Sequence, residues 1–325
     1  MMNPSLDYNF VPKVCAIQVV NTCFMKCKMC YSWQRKEVSR GLSIEEWEVF
    51  IISLKEILPS GTPICFTGSG EPLGREGVLE LIAAANKNGF IAQLATNGYL
   101  IDENMAKRLA DAALYGISVS LDSLNEQTHD FLRGIQGTFA RVMQAIGYLR
   151  KNKIGFSFNT IIMEKNLNDI LDLVRWSTQE GIGVRFQAIV KPFDKDLDDY
   201  WYKNVEWKSL WPQDINKAIE IVDELIKLKQ SGYRILNPLG QLKIFKDYFT
   251  DPEKPCRSRI CNIGDYLMNM DLFGNVHPCS AIGIWGNIKE QHIRDIWFSK
   301  KAQEIREKIR CCQKPCHHLL NCFFE

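Results

Sequence analysis

The sequence predicts an α/β fold: a partial, TIM-like (β/α)6 barrel followed by a small, cysteine-rich C-terminal domain. Three observations predict it. Short apolar runs alternate with amphipathic stretches from residue 14 to about 235, the pattern of successive βα units. Glycine-rich or polar turns follow the apolar runs, at the strand ends where parallel α/β folds place their ligands. Seven of the twelve cysteines gather in residues 236–325. The expected division is a tail at 1–13, a barrel at 14–235 and a second domain at 236–325.

Residues 14–20, Val-Cys-Ala-Ile-Gln-Val-Val, read as a buried first strand with Cys15 as a core residue. Ser43 and Glu46 form a capping box that opens a helix running to about Leu58. A second strand over 63–67 contains Cys65, expected in the core, and ends in Gly68-Ser69-Gly70-Glu71-Pro72. Glycines in such a turn let a ligand approach the backbone. A helix near 75–88, a strand over 91–95 ending at Thr96-Asn97-Gly98, a helix near 102–113 and a strand over 116–121 continue the alternation. Ser118, Ser120 and Asp122 fall on one face by the strand's period of two, and Arg133 follows after a short helical turn. A fifth strand over 154–163 puts Asn159 on an inward face. After a helix over 167–179, a sixth strand spans 183–189 and includes Gln187 and Ala188.

The connection from Lys191 to Gln213 carries Tyr200, Trp201, Tyr202, Trp207 and Trp211. Its length suits a lid, and its aromatics equally suit packing against the next domain. A helix near 214–230 follows. In the last region, 266–271 and 275–277 read as a hairpin turning at Gly274, ahead of a helix that holds Trp297.

Composition narrows the function. The balance of 40 basic and 38 acidic residues leaves a net charge of +2, so no overall field draws the chain to nucleic acid or to an anionic membrane. With 46% hydrophobic residues the chain can bury a large core. No apolar run reaches the roughly 20 residues of a bilayer span, and residues 1–12 lack the apolar core of a signal peptide. A cytoplasmic protein is expected, in which twelve cysteines point to metal ligation in place of disulfides.

Cys23, Cys27 and Cys30 stand at a Cys-x3-Cys-x2-Cys spacing directly after the first strand. Iron–sulfur clusters normally take four cysteine ligands, so three leave one iron open to a substrate or cofactor. A structural zinc site wants four closed ligands, and a disulfide framework wants even pairing. This spacing resembles the signature of radical S-adenosylmethionine (SAM) enzymes, in which the open iron of a [4Fe-4S] cluster chelates the methionine part of SAM. The resemblance implies roles along the barrel. Gly68, Ser69, Gly70, Glu71 and Pro72 are similar to the Gly-Gly-Glu-Pro motif that contacts the SAM amino group, and depart from it by reading Gly-Ser-Gly-Glu-Pro. Asn97, Ser118, Ser120 and Arg133 resemble the ribose and carboxylate contacts. Gln187 and Ala188 lie on the strand that flanks adenine.

The C-terminal pattern, Cys261-x12-Gly274-x4-Cys279 followed by Gly-Asn-Ile, a Trp, and Cys312-x3-Cys316-x5-Cys322, resembles the SPASM/twitch extension. That extension carries auxiliary [4Fe-4S] clusters. Two all-cysteine clusters need eight thiolates, and this region offers seven: Cys256, Cys261, Cys279, Cys311, Cys312, Cys316 and Cys322. A single auxiliary cluster is expected on Cys261, Cys279 and two of Cys312, Cys316 and Cys322. The resemblance implies a SAM-derived radical that abstracts a substrate hydrogen, with oxidative modification of a peptide or protein as the first expectation. Oxidation of a small molecule is the second, weighed because no leader-recognition domain precedes the barrel. A non-enzymatic iron–sulfur electron carrier is the contrasting class. An external donor such as flavodoxin or ferredoxin is the expected partner.

Overall fold

The computed structural model describes residues 11–35, 41–192, 197–198, 200–254, 261–279 and 282–312. Six strands, β1 (Val14–Val20), β2 (Pro63–Gly68), β3 (Ile91–Thr96), β4 (Gly116–Ser120), β5 (Gly155–Ile162) and β6 (Gly183–Ala188), pair in chain order. Every pairing among them is parallel. Helices α1 (Ile44–Ser53), α2 (Val78–Lys87), α3 (Glu103–Asp111), α4 (Glu126–Arg133), α5 (Thr138–Lys151) and α6 (Ile170–Gln179) form the crossovers. The Ser43–Glu46 capping box is present: Glu46 N–H donates to Ser43 Oγ at 3.1 Å and Ser43 N–H to Glu46 Oε2 at 2.7 Å.

The six strands alternate in burial. Ile17, Val19, Ile64, Phe66, Leu94, Ile117, Val119, Phe158 and Phe186 are buried, and they carry the apolar contact with the helices. The opposite face is half-exposed and polar, with Gln18, Thr67, Gln93, Ser118, Ser120, Ser157, Asn159 and Gln187. Cys65, expected in the core, lies on this second face beside Ala16 and Gln93 in register. Cys15 is in the core, as expected.

Beyond β6 the chain protects its own sheet edge. The backbone of residues 234–236 pairs in parallel with Val184, which donates to Arg234 O and accepts from Leu236 N–H, both at 2.8 Å. Phe186 N–H then donates to Asn237 Oδ1 at 2.7 Å and Asn237 Nδ2 donates to Phe186 O at 2.8 Å, so a short bridge and a side chain cover the edge. The aromatic connection resolves toward packing. Trp201, Trp207 and Trp211 are buried, the second of them within α7 (Val205–Lys208), which precedes α8 (Ile215–Gln230). Trp211 meets Tyr248 and Phe249 of α9 (Leu239–Thr250) at 5.4 and 5.5 Å between ring centroids. Trp207 reaches Tyr31 at 5.4 Å, which ties this cluster to the segment just after the cysteine loop.

The sheet does not stop at six strands. After α10 (Ile263–Tyr266), β7 (Leu267–Met270) lies parallel to β1, with Val14 opposite Leu267 and Ile17 opposite Met270. The hairpin then adds β8 (Asn275–Val276) and β9 (Gly286–Asn287), both antiparallel. Thus β1 sits inside a sheet order of β6-β5-β4-β3-β2-β1-β7-β8-β9. Helices α11 (Ile293–Trp297) and α12 (Lys300–Cys311) follow. Arg306 of α12 lies over both Trp285 and Trp297, at 4.4 and 4.7 Å from their ring centroids, and donates to Gly264 O and Trp297 O. Among the described residues, no helix is long and apolar enough to cross a membrane.

Candidate radical cofactor site

A cavity of about 530 Å³ opens at the C-terminal ends of the parallel strands. Its wall brings together Cys23, Cys27 and Cys30 with Gly68, Ser69, Gly70 and Glu71 after β2, Asn97 after β3, Ser120 at the end of β4, Arg133 of α4 and Gln187 of β6. Gln18, Thr67, Ile161 and Lys191 complete the lining used below. Three sequence candidates stand apart from it. Ser118 occupies the same face as Ser120, two residues nearer the start of β4. Pro72 is buried at the start of a helical turn, and Ala188 is buried on the face opposite Gln187.

The thiols are arranged by the backbone around them. Lys28 N–H donates to Leu132 O at 2.9 Å, and Trp33 Nε1 donates to Cys30 O at 2.9 Å. Gly134, which ends α4 at φ +72°, is where α4 meets the cysteine loop: a Cβ there would sit 2.0 Å from Lys26 O. Only glycine permits both that conformation and that approach. Gly70 answers a similar need. A Cβ on it would lie 2.1 Å from Thr22 O, so this glycine admits the chain leaving β1, where the sequence had suggested approach by a ligand.

Glu71 is spent inside the protein. Its carboxylate accepts from Thr96 Oγ1 at 2.6 Å, Asn97 N–H at 2.8 Å and Leu73 N–H at 3.1 Å, which ties the end of β2 to the end of β3. Burial pushes its carboxyl above the ordinary range despite these donors. Asp122 likewise turns from the face of Ser118 and Ser120. It accepts from Ile161 N–H at 3.1 Å and meets Arg133 Nε at 2.7 Å as a buried ion pair. His129 accepts from Asp122 N–H through Nδ1 at 3.2 Å. Its pKa falls to about 3 because burial, and then the Arg133 charge, oppose protonation.

The donor set fits a cluster. Burial pushes the Cys23 thiol up to about 12 and the Cys27 thiol up to about 11, so cationic iron must supply what stabilises their thiolates. Arg133, beside Cys27, opposes that upward shift. Among the described residues no three Cys, His, Asp or Glu side chains converge on a single-ion point. In the C-terminal region Cys261 and Cys279 are buried, Cys312 is half-buried and Cys311 is exposed. Cys256, Cys316 and Cys322 lie outside the described residues.

Residues the sequence reading passed over are Gln18, Thr67 and Lys191. The first two show the same period-two signal that exposed Ser120. Comparison with known proteins agrees with the geometry. Residues 17–177 match the Radical SAM superfamily, and residues 261–322 match SPASM, an iron-sulfur cluster-binding domain. The AdoMet-dependent heme synthase of Oleidesulfovibrio alaskensis is 30% identical across 91% of this chain and 76% of its own length. The PqqA peptide cyclase of Bradyrhizobium diazoefficiens is 22% identical across 94% of this chain and 78% of its own. Among solved structures, Streptococcus suis SuiB bound to S-adenosylmethionine superposes with a TM-score of 0.70 at 16% identity, over 92% of this chain and 69% of that one. The thiol loop, the strand-end cavity and these matches converge: the chain belongs to the radical SAM superfamily and carries a SPASM domain toward its C-terminal end.

Proposed function

We propose that this protein reductively cleaves SAM and uses the resulting radical to oxidise an organic substrate held in the strand-end cavity. The observation that carries this reading is the convergence of Cys23, Cys27 and Cys30 with Asn97, Ser120, Arg133 and Gln187 on one wall. When bound, the cluster and SAM supply an electron and a 5′-deoxyadenosyl radical that takes hydrogen from the substrate. The chain's residues hold and shield that chemistry. Cys23, Cys27 and Cys30 bind the cluster. Ser120 and Asn97 offer hydrogen bonds to the SAM ribose and amino acid. The Arg133 guanidinium, held by Asp122, supplies positive charge beside Cys27 and toward the SAM carboxylate. Gly68, Ser69 and Gly70 present backbone, Glu71 fixes that backbone, and Gln187 closes the adenine side.

Within residues 236–325, taken as a separate SPASM unit on the barrel of 14–235, Cys261 and Cys279 hold an auxiliary cluster with two of Cys312, Cys316 and Cys322. The dense cysteine usage supports a reducing, cytoplasmic setting. Two substrate classes remain separable. Peptide or protein modification, the first expectation from the sequence, is supported by the peptide cyclase alignment. Oxidation of a small molecule is favoured by the higher identity to the heme synthase at similar coverage. We favour the small-molecule class. The deciding experiment incubates the reconstituted enzyme with SAM, reductant and deuterated candidates of both classes. Deuterium appearing in 5′-deoxyadenosine from a small molecule supports this choice, and deuterium appearing only from a peptide overturns it.

A further inference from the structure

The cysteine loop has two sides. Cys23, Met25, Cys27 and Cys30 line the cavity, whereas Phe24, Lys26 and Lys28 alternate with them and are exposed. On one flank Phe24 meets Tyr99 edge-on at 5.4 Å, and the Arg141 guanidinium lies 5.6 Å from the Tyr99 ring centroid. On the other flank the Lys28 ammonium lies 5.4 Å from the centroid of Phe131. Both residues border a shallow groove of about 560 Å³. Phe24 and Phe131 are 40% and 47% exposed. Among the described residues six large aromatic side chains are exposed, and these two stand beside the exposed lysines of the loop and of the groove. Clustered exposed aromatics mark interaction surfaces, where single exposed residues would not.

The charge of this face has a sign. Lys26, Lys28 and Arg141 are exposed here, and the lining of the groove itself holds one exposed acid, Glu126. The Asp130 carboxylate is turned inward onto the N–H groups of Gly137 and Phe139. The whole chain carries only +2, so the basic character is local and not a reflection of overall charge. Apolar rings with basic side chains around them therefore sit on the outer side of the loop whose inner side presents the thiols, and the two sides alternate residue by residue.

We infer that this face is the docking site of a small acidic one-electron carrier protein, a flavin or iron–sulfur carrier. The inference rests on the SAM-cleaving reading above and names the partner of that site. In SAM cleavage without substrate one electron leaves the carrier for each SAM cleaved, so oxidised carrier and 5′-deoxyadenosine balance one to one; with substrate present, the electron that the substrate radical gives up would pass to the auxiliary cluster. Charge complementarity would steer the encounter and weaken with salt. The aromatic rings would supply the buried centre of the contact.

The test uses the full-length, cluster-loaded chain with a flavodoxin as the probe. Binding is measured by calorimetry across ionic strength for wild type, Phe131→Ala, Arg141→Glu and Lys28→Glu, with Lys301→Glu on α12 as the distant control. Each variant on the face should weaken binding by about tenfold, and the charge reversals should flatten the salt dependence. The control should do neither. In parallel, SAM cleavage is driven either by the flavodoxin or by dithionite. Phe131→Ala and Arg141→Glu should slow only the flavodoxin-driven reaction. Unchanged affinity in the face variants overturns the inference, whether the face is covered by a second copy or by another segment of this chain. Equal loss with both reductants also overturns it. Failure of wild type to cleave SAM with dithionite would refute the parent reading, and the binding data would still decide the docking face.

Discussion

Arg133 is the residue on which the site's electrostatics turn. Its side chain is buried, pairs with Asp122 at 2.7 Å and lines the cavity beside Cys27. Removing one member of a buried pair leaves the other charged and unpaired. Arg133→Ala should therefore destabilise the fold by about 3–5 kcal/mol in urea unfolding, and adding Asp122→Asn should restore part of that. Additive effects would show that the pair does not couple. His129 gives a pH signature. Its pKa in the folded chain, about 3, lies below the ordinary value of 6.5, so its contribution to stability is complete above pH 6.5 and is lost as pH falls toward 3. Between pH 6 and 4 the wild type should lose up to about 1.4 kcal/mol per pH unit more than His129→Asn. The asparagine keeps an acceptor for Asp122 N–H but does not titrate. Parallel curves would remove His129 as the source.

At the scale of elements, what could be read from the sequence was what is local. The six parallel strands, the Ser43–Glu46 capping box and the turn at Gly274 each leave a signature within a few residues. The helix α5 left one too, since Val142, Ala145, Ile146 and Leu149 recur at helical spacing and are buried, and the sequence reading did not use it. Other features have no local trace. The pairing of β7 with β1 joins segments some 250 residues apart. The approach of Gly70 to Thr22, and that of Gly134 to Lys26, depend on chains that sequence does not place side by side. Hence the glycines of the β2 turn were legible as glycines but not as contacts. Gly134→Ala isolates this effect, because the new Cβ meets the Lys26 carbonyl while the thiols stay untouched. After anaerobic reconstitution and desalting, it should retain less iron at the cluster loop than wild type. Full iron retention with a normal cluster spectrum would show that α4 does not set the loop.

Across the whole molecule, one sheet runs from the barrel into the hairpin that precedes Cys279, through the β1–β7 pairing. The C-terminal thiols are nonetheless separate from the Cys23–Cys30 loop in sequence and motif. Cys261→Ala with Cys279→Ala should therefore remove the auxiliary iron and abolish substrate oxidation, while uncoupled SAM cleavage continues. A folded double variant with wild-type iron content, or with undiminished product, would contradict that assignment. Cys23, Cys27 and Cys30 are the residues on which the proposed SAM cleavage depends. The most direct measurement replaces all three with alanine and compares iron, sulfide and 5′-deoxyadenosine with wild type under dithionite. The predicted result is loss of about four irons per chain and of all SAM cleavage, with the auxiliary iron retained. Unchanged iron content, or 5′-deoxyadenosine still formed at the wild-type rate, would contradict it.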